Sequence, residues 1–387
     1  MHLSRVLSAS AVILCAITTV HARPPAAHVV HVADVESLYD AVDDPDNAGA
    51  QIVLAPGRYI LSPLDPSSTP RLNLGRLELQ HGMALSGQPG HPEAVVIDAA
   101  GLPAASYVTP QGGAGAVRVG RGDNTIEWLT VLNATAGAAG IDTGLVAAPI
   151  ARVRLAHLVL AGHVRGFDIR NFANAAGRLL RVDLEDNDLS FNQINMGFGI
   201  RVANSGATDA AIEATLRGND LHDNLVGLLA ANLNSSGSTI AIDSHADHFD
   251  RNRVGGVLFG GNSNLATAQA NGNGLSFNAH GSTFRDNVGV FPTTGDSGGL
   301  VLVGGVATQA NRASNNTLRV GLWGTRLSGN QDADIRAWGA RTVAAAPAGT
   351  NNRVEVTLDG VSRRATDSQI PSAPVEPDGT NTVTIVR

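Results

Sequence analysis

The chain has 387 residues, with 44 glycines, 17 prolines, few aromatics and a formal net charge of −7. All 27 basic residues are arginine, so any mechanism that needs a lysine base is excluded. The acidic balance argues against nucleic acid as a general partner, because that association rests on neutralising phosphates with cations.

Residues 1–22 read as a secretory signal, in which His2 and Arg5 precede an apolar run from Ala11 to Val20 that ends in Val20-His21-Ala22. The run is too short for a membrane span. It holds the single cysteine, Cys15, and Leu14 stands where a lipid attachment site wants a small residue. The expected mature chain is secreted or periplasmic, has no disulfide, and carries 26 arginines against 34 carboxylates. After a Pro-Ala spacer, Leu38, Ala41 and Val42 lie at helical spacing within Val35 to Asp43, with Asp34 placed to cap them. That helix is expected to plug the first coil of the fold. Gln51 to Leu61 reads as strand, Pro56-Gly57 turn and strand, and Pro63 to Arg71 and Gly101 to Gly115 are loops.

A repeat organises the rest. In Arg181 to Asn192, apolar residues stand five, seven and nine positions before Leu189 (Leu184, Val182, Leu180), a small polar residue two before it (Asn187) and Asn192 three after. The pattern returns around Leu221 with Asn224, Phe249 with Asn252, Phe284 with Asn287 and Leu327 with Asn330, and a degenerate copy at Leu160 puts His163 in the asparagine place. Alternating apolar residues make a short strand with one buried face, and Asn or Gly after it suits a left-handed corner. The asparagines are 32, 28, 35 and 43 residues apart, one coil plus a loop of variable length. The expectation is an all-β chain, a right-handed parallel β-helix with an N-terminal capping helix. It would occupy 23–360, with 361–387 a tail and a capping strand from Asn381 to Val386.

The capping helix, the turn "IVLAPGRY" (Ile52 to Tyr59), "MALSGQPG" (Met83 to Gly90) and "VVIDA" (Val95 to Ala99) resemble the opening of β-helix proteins of the pectin-lyase-like superfamily, and the resemblance runs from about Val29 to Gly360. It implies a polysaccharide as partner, and it covers lyases, hydrolases, epimerases and proteins without known activity.

Stacked coils put equivalent outward residues side by side. Four before the anchor the column reads Glu185, Arg217, His245, His280, Trp323; six before it reads Asp183, Thr215, Asp243, Asn278, Gly321. A solvated sheet face of mixed charge is the ordinary reading of such a band. The functional reading notes that histidines and a tryptophan are unusual filler on an exposed face. A uronic-acid lyase needs a base, a group that neutralises the carboxylate and an acid for the leaving oxygen. His245 or His280 would be the base, Arg217 the neutraliser or base, and Trp323 a sugar platform, with Asp183, Glu185 and Asp243 as further catalytic candidates. Hydrolases of this superfamily use paired carboxylates, and Asp183 with Asp243 or Glu185 is a candidate pair. The polygalacturonase signatures are absent, and Asp243-Ser-His245-Ala-Asp247 only loosely echoes the Asp-Pro-His-Asp of mannuronan epimerases. The resemblance to pectate lyases also implies calcium, for which Asp183, Glu185, Asp186 and Asp188 are the candidates, although Phe191 stands where a calcium loop requires glycine. His157 and His163 are expected to bond backbone at coil corners, and Arg121-Gly122-Asp123 to form a turn. Two readings stay open: a lyase or related carbohydrate-active enzyme, and a non-catalytic envelope or surface protein that at most binds glycan.

Overall fold

The computed structural model describes residues 28–104, 115–119, 122–134, 139–143, 150–173, 175–193, 197–265, 268–307, 312–342, 349–363 and 380–387. The signal-like segment with Cys15, Arg121 and the link 365–379 lie outside them. The strands named below pair in parallel and build three long sheets. Sheet A has twelve strands, from Val29–Val32 at one end to Thr382–Val386 at the other; sheet B has nine, from Leu77–Glu78 to Ile335–Thr342. Sheet C has six strands from Gly57–Ile60 to Asp220–His222, and single bridges at His248 carry it on into three more. Each full coil gives one strand to each sheet, so the chain is a parallel β-helix, and its crossovers take the right-handed sense that such connections follow.

The expected frame explains the core. Leu180, Ile212, Ile240, Leu275, Leu318 and Val354 are successive partners on sheet A, and none is more than 2% exposed. The anchors Leu160, Leu189, Leu221, Phe249, Phe284 and Leu327 are all fully buried from the sheet C side, and Phe249 and Phe284 stack at 4.5 Å.

Asparagines join the coils. Asn224 donates from Nδ2 to the Leu189 carbonyl one coil back (2.8 Å) and accepts at Oδ1 from the Asn192 backbone (3.0 Å), and Asn252 and Asn287 repeat the arrangement. A second ladder runs through Asn187, Asn219 and Asp247. A third, which the repeat frame did not anticipate, runs through Asn273, Asn316, Asn352 and Asn381 at the corner leading into sheet A. The first ladder needs close approach to sheet B, since a Cβ on Gly199 or Gly227 would lie 3.1 or 3.0 Å from the Asn224 or Asn252 amide.

Each end carries an element that packs on its terminal coil. Helix Val35–Asp43 is held by a reciprocal box between Asp34 and Ser37 and buries Leu38, Tyr39, Ala41 and Val42 over the first coil. Thr382–Val386 pairs with Arg353–Asp359, and Val383 and Ile385 pack on the core.

Candidate functional site on the outward face of sheet A

Sheet A strands alternate between core and surface: Thr239–His245 reads exposed, buried, exposed throughout. Glu185, Arg217, His245, His280 and Trp323 are successive ladder partners, as are Asp183, Thr215, Asp243, Asn278 and Gly321. The band is therefore contiguous.

Its most ordered part is a column of rings. His245 and His280 stack with centroids 4.9 Å apart and planes 9° apart, and His280 stacks on Trp323 at 4.5 Å and 9°. Both histidines are exposed and Trp323 is half-buried. The indole folds back over Gly321, where an added Cβ would come within 2.0 Å of it, so a side chain there would displace the ring. Arg217, the next partner below His245, is exposed, and among the described residues no carboxylate lies within ion-pair distance of it. Asp243 accepts a hydrogen bond from the Asn278 amide at 2.9 Å.

The other candidates are placed differently. Glu185 is tied to Arg154, whose guanidinium bridges Glu185 and Glu127 at 2.9 Å each. Asp183 is exposed, with Thr215 standing between it and Asp243 in the ladder. Asp247, the last residue of the epimerase-like echo, points inward: it is fully buried and accepts hydrogen bonds from Ser244, Asn219 and the His245 backbone.

The acidic run 183–188 does not fit calcium. Asp183 and Glu185 lie on sheet A, Asp186 turns the corner with φ 50°, and Asp188 lies on sheet C at 3.3 Å from His222. Among the described residues no group of three or more His, Cys, Asp or Glu gathers in a metal-holding arrangement. His222 is instead clamped by Asp188 and by Asp223 at 2.6 Å. The Asp188 hydrogen bond, opposed by burial and helped by Asp223, raises it to about 9.

The two corner histidines part company. His163 bonds backbone as expected. His157 stacks on Trp128, with centroids 3.8 Å apart and planes 13° apart, and stands 3.7 Å from Asp186. Trp128 was overlooked, although it lies three before Val131 just as His157 lies three before Leu160. The outward face of sheet B was overlooked too. There Asp168 is gripped by Arg201 through two hydrogen bonds of 2.7 and 2.5 Å, with Arg170 at 3.1 Å. Burial works against that carboxylate, but the arginines outweigh it and hold its pKa far below the usual range. The signal was the alternation of Asp168 and Arg170 along one strand.

No family model matches the chain, and no curated protein matches it. Among solved structures it is similar to the Azotobacter vinelandii mannuronan C-5 epimerase AlgE4 A-module, at 14% identity and a TM-score of 0.45, covering 92% of this chain and 96% of that one. It is also similar to the catalytic unit of a thermostable GH87 α-1,3-glucanase from Streptomyces thermodiastaticus, at 12% identity and a TM-score of 0.44, covering 95% of this chain and 68% of that one. A third is DFA-IIIase from Arthrobacter chlorophenolicus A6, at 15% identity and a TM-score of 0.41, covering 92% and 91%. Among the described residues no helix is long and apolar enough to cross a membrane. The parallel ladders of the chain itself make it a parallel β-helix, right-handed as crossover connections between parallel strands are.

Proposed function

We propose that the chain engages an acidic polysaccharide on the outward face of sheet A. The observation that carries this is the flat column His245, His280 and Trp323, in register with an unpaired Arg217. Planar rings offer a surface to the C–H face of a sugar, and a neighbouring guanidinium suits a uronate carboxylate, which it can meet with two parallel hydrogen bonds.

A second reading, catalysis of β-elimination, is favoured by the adjacency of Arg217 and His245. Arg217 would neutralise the uronate carboxylate while a neutral His245 takes the C5 proton. The electron pair then forms the C4–C5 double bond as the C4–O bond breaks, and the leaving oxygen takes a proton from an acid, for which Asp243, two residues before His245 on the same face, is a candidate.

The test combines affinity electrophoresis in gels holding polygalacturonate, alginate or chondroitin sulfate with the absorbance of unsaturated product. His245→Ala with His280→Ala is expected to weaken retention at least about tenfold, with little change in Tm, as for most surface substitutions. Retention unchanged in the folded double variant would remove the proposal, and binding without unsaturated product would leave the non-catalytic reading.

A further inference from the structure

We infer that a second sugar platform lies at the corner between sheets A and C, built by Trp128 and His157, so that the polysaccharide runs along the solenoid axis rather than across it. This rests on the reading of sheet A above and extends its site towards the N-terminus.

From the strand Asn124–Glu127 to the strand Arg353–Asp359, the residue that follows each sheet A strand turns the corner in the left-handed region. From Trp128 onward these residues are Trp128 (φ 59°), His157 (54°), Asp186 (50°), Gly218 (65°), Ala246 (55°), Gly281 (63°), Gly324 (58°) and Gly360 (60°). Each donates its N–H to the last strand carbonyl of the next coil: Trp128 to Ala156, His157 to Glu185, Asp186 to Arg217, Gly218 to His245, and so on where a next coil follows. They form one column. Glycine meets no steric penalty in this conformation, whereas a bulky side chain there is uncommon and strained. Four coils use glycine, yet two successive coils hold an indole and an imidazole. Strain of this kind is kept where surrounding structure enforces it, and it concentrates at functional sites.

The two rings are not core residues. Both are half-buried, and 23% of the His157 side chain is exposed. Their near-parallel stack at 3.8 Å makes a flat face. Beside it Arg154 holds Glu127 and Glu185 in a fixed triad, a set of planar hydrogen-bonding groups for sugar hydroxyls. On the N-terminal side, Ala55, Pro56, Gly87, Gln88 and Pro89 help to line an open cavity of about 430 Å³. Gly87 must lack a side chain, since a Cβ would lie 1.9 Å from the Trp128 carbonyl oxygen.

This corner column adjoins the His245 column, because each corner residue directly follows one of its members. The coils of Trp128 and Trp323 are six steps apart, about 29 Å at the usual strand spacing of about 4.8 Å. A chain lying along the edge meets Trp128 and His157, then Asp186 and Arg217, then His245, His280 and Trp323. Two stations on one ligand act as linked sites, so affinity should climb with oligomer length until both are reached.

The experiment measures binding of size-fractionated oligomers of polygalacturonate, alginate and chondroitin sulfate to the full chain and to Trp128→Gly and Trp323→Ala. Glycine is the residue other coils use at this corner, so Trp128→Gly relieves strain as it removes the ring. The expected result is affinity for long oligomers lower by about tenfold or more, unchanged affinity for oligomers too short to leave the His245 station, and a Tm not lowered by more than a few degrees. Unchanged long-oligomer affinity in Trp128→Gly, with loss in Trp323→Ala, overturns this inference and leaves the sheet A reading intact. Loss in Trp128→Gly alone overturns the sheet A reading and, with it, the two-station path along the axis. A large fall in Tm shows that the rings serve the fold and overturns the inference, and a wild type that binds none of the three polymers overturns both.

Discussion

His163 holds a place that asparagine takes in later coils, and it does so by imitating an amide. Its Nδ1 accepts from the Ala134 backbone at 3.0 Å and its Nε2 donates to the Val131 carbonyl at 2.9 Å, the two bonds that Oδ1 and Nδ2 make elsewhere in the ladder. Only the neutral ring can do both. Burial pushes its pKa down to about 4 from 6.5, so the stability it contributes is complete above pH 6.5 and is lost as pH falls towards 4. The shift corresponds to about 3 kcal/mol across that window. His163→Asn should keep the ladder and remove that part of the acid sensitivity. Urea midpoints at pH 7 and pH 4.5 check it, and an equal acid loss in both proteins would contradict it. Asp247 shows the opposite sign. Burial raises its pKa against hydrogen bonds from Ser244 and Asn219, so the stability it lends is present below its unfolded value of 3.8 and lost as pH rises through the raised one. Its neighbours Asn187 and Asn219 are neutral, and the ladder partners of Ser244 are Leu216 and Ala279. Ser244→Ala with Asp247→Asn should therefore raise Tm at pH 7, by a margin that shrinks towards pH 4.5, and a lower Tm at pH 7 would count against it.

At the scale of the element, a coil is a strand, a corner and the amide that binds the corner to its neighbour. Asn252 is 1% exposed, donates to Leu221 and accepts from the Asn224 backbone. Asn252→Ala leaves a carbonyl and an N–H unpaired in the interior, at about 1–3 kcal/mol for each such group. A fall in the urea midpoint with unchanged slope is expected, and an unchanged midpoint would mean that the ladder adds no stability there. The corner that precedes each anchor works under a different constraint, because it must adopt positive φ. Glycine there leaves the surface bare, whereas Trp128 and His157 use the same geometry to present rings.

At the scale of the whole molecule, the three sheets are treated unequally. Every residue of Val254–Ser263 and Gly298–Ala307 is buried, so sheet B is covered on both faces in these coils. Such strands read as unbroken apolar runs, as those of doubly covered parallel sheets do. Among the charges on its outer face, Asp168, Arg170 and Arg201 are buried, and Asp168 pairs with both arginines. Sheet A keeps one face in water along its length, and that is where rings, a free guanidinium and carboxylates stand in columns. The dependence of affinity on oligomer length belongs to this scale, since it arises from the spacing of coils and not from any single contact.

The sequence by itself determined the solenoid, the helix that caps it and the columns of sheet A. These follow from period-two alternation and corner chemistry, which act within one coil, and a coil repeated in frame brings its equivalents into register without further information. Leu180 to Leu318 and Glu185 to Trp323 could accordingly be aligned by counting from an anchor. Tertiary structure alone decided what each side chain meets across the gap between coils. Glu185 looks available in the sequence but is claimed by Arg154 from a coil 31 residues away. Asp247 looks like part of an outward motif but turns into the ladder, because its position, two before an anchor, faces the corner interior. Trp128 and His157 meet only because two early coils, which lack an asparagine three places after their anchors, stack at the spacing of the later ones. The burial of sheet B on both faces depends on what lies over it, and no local pattern of residues carries that information.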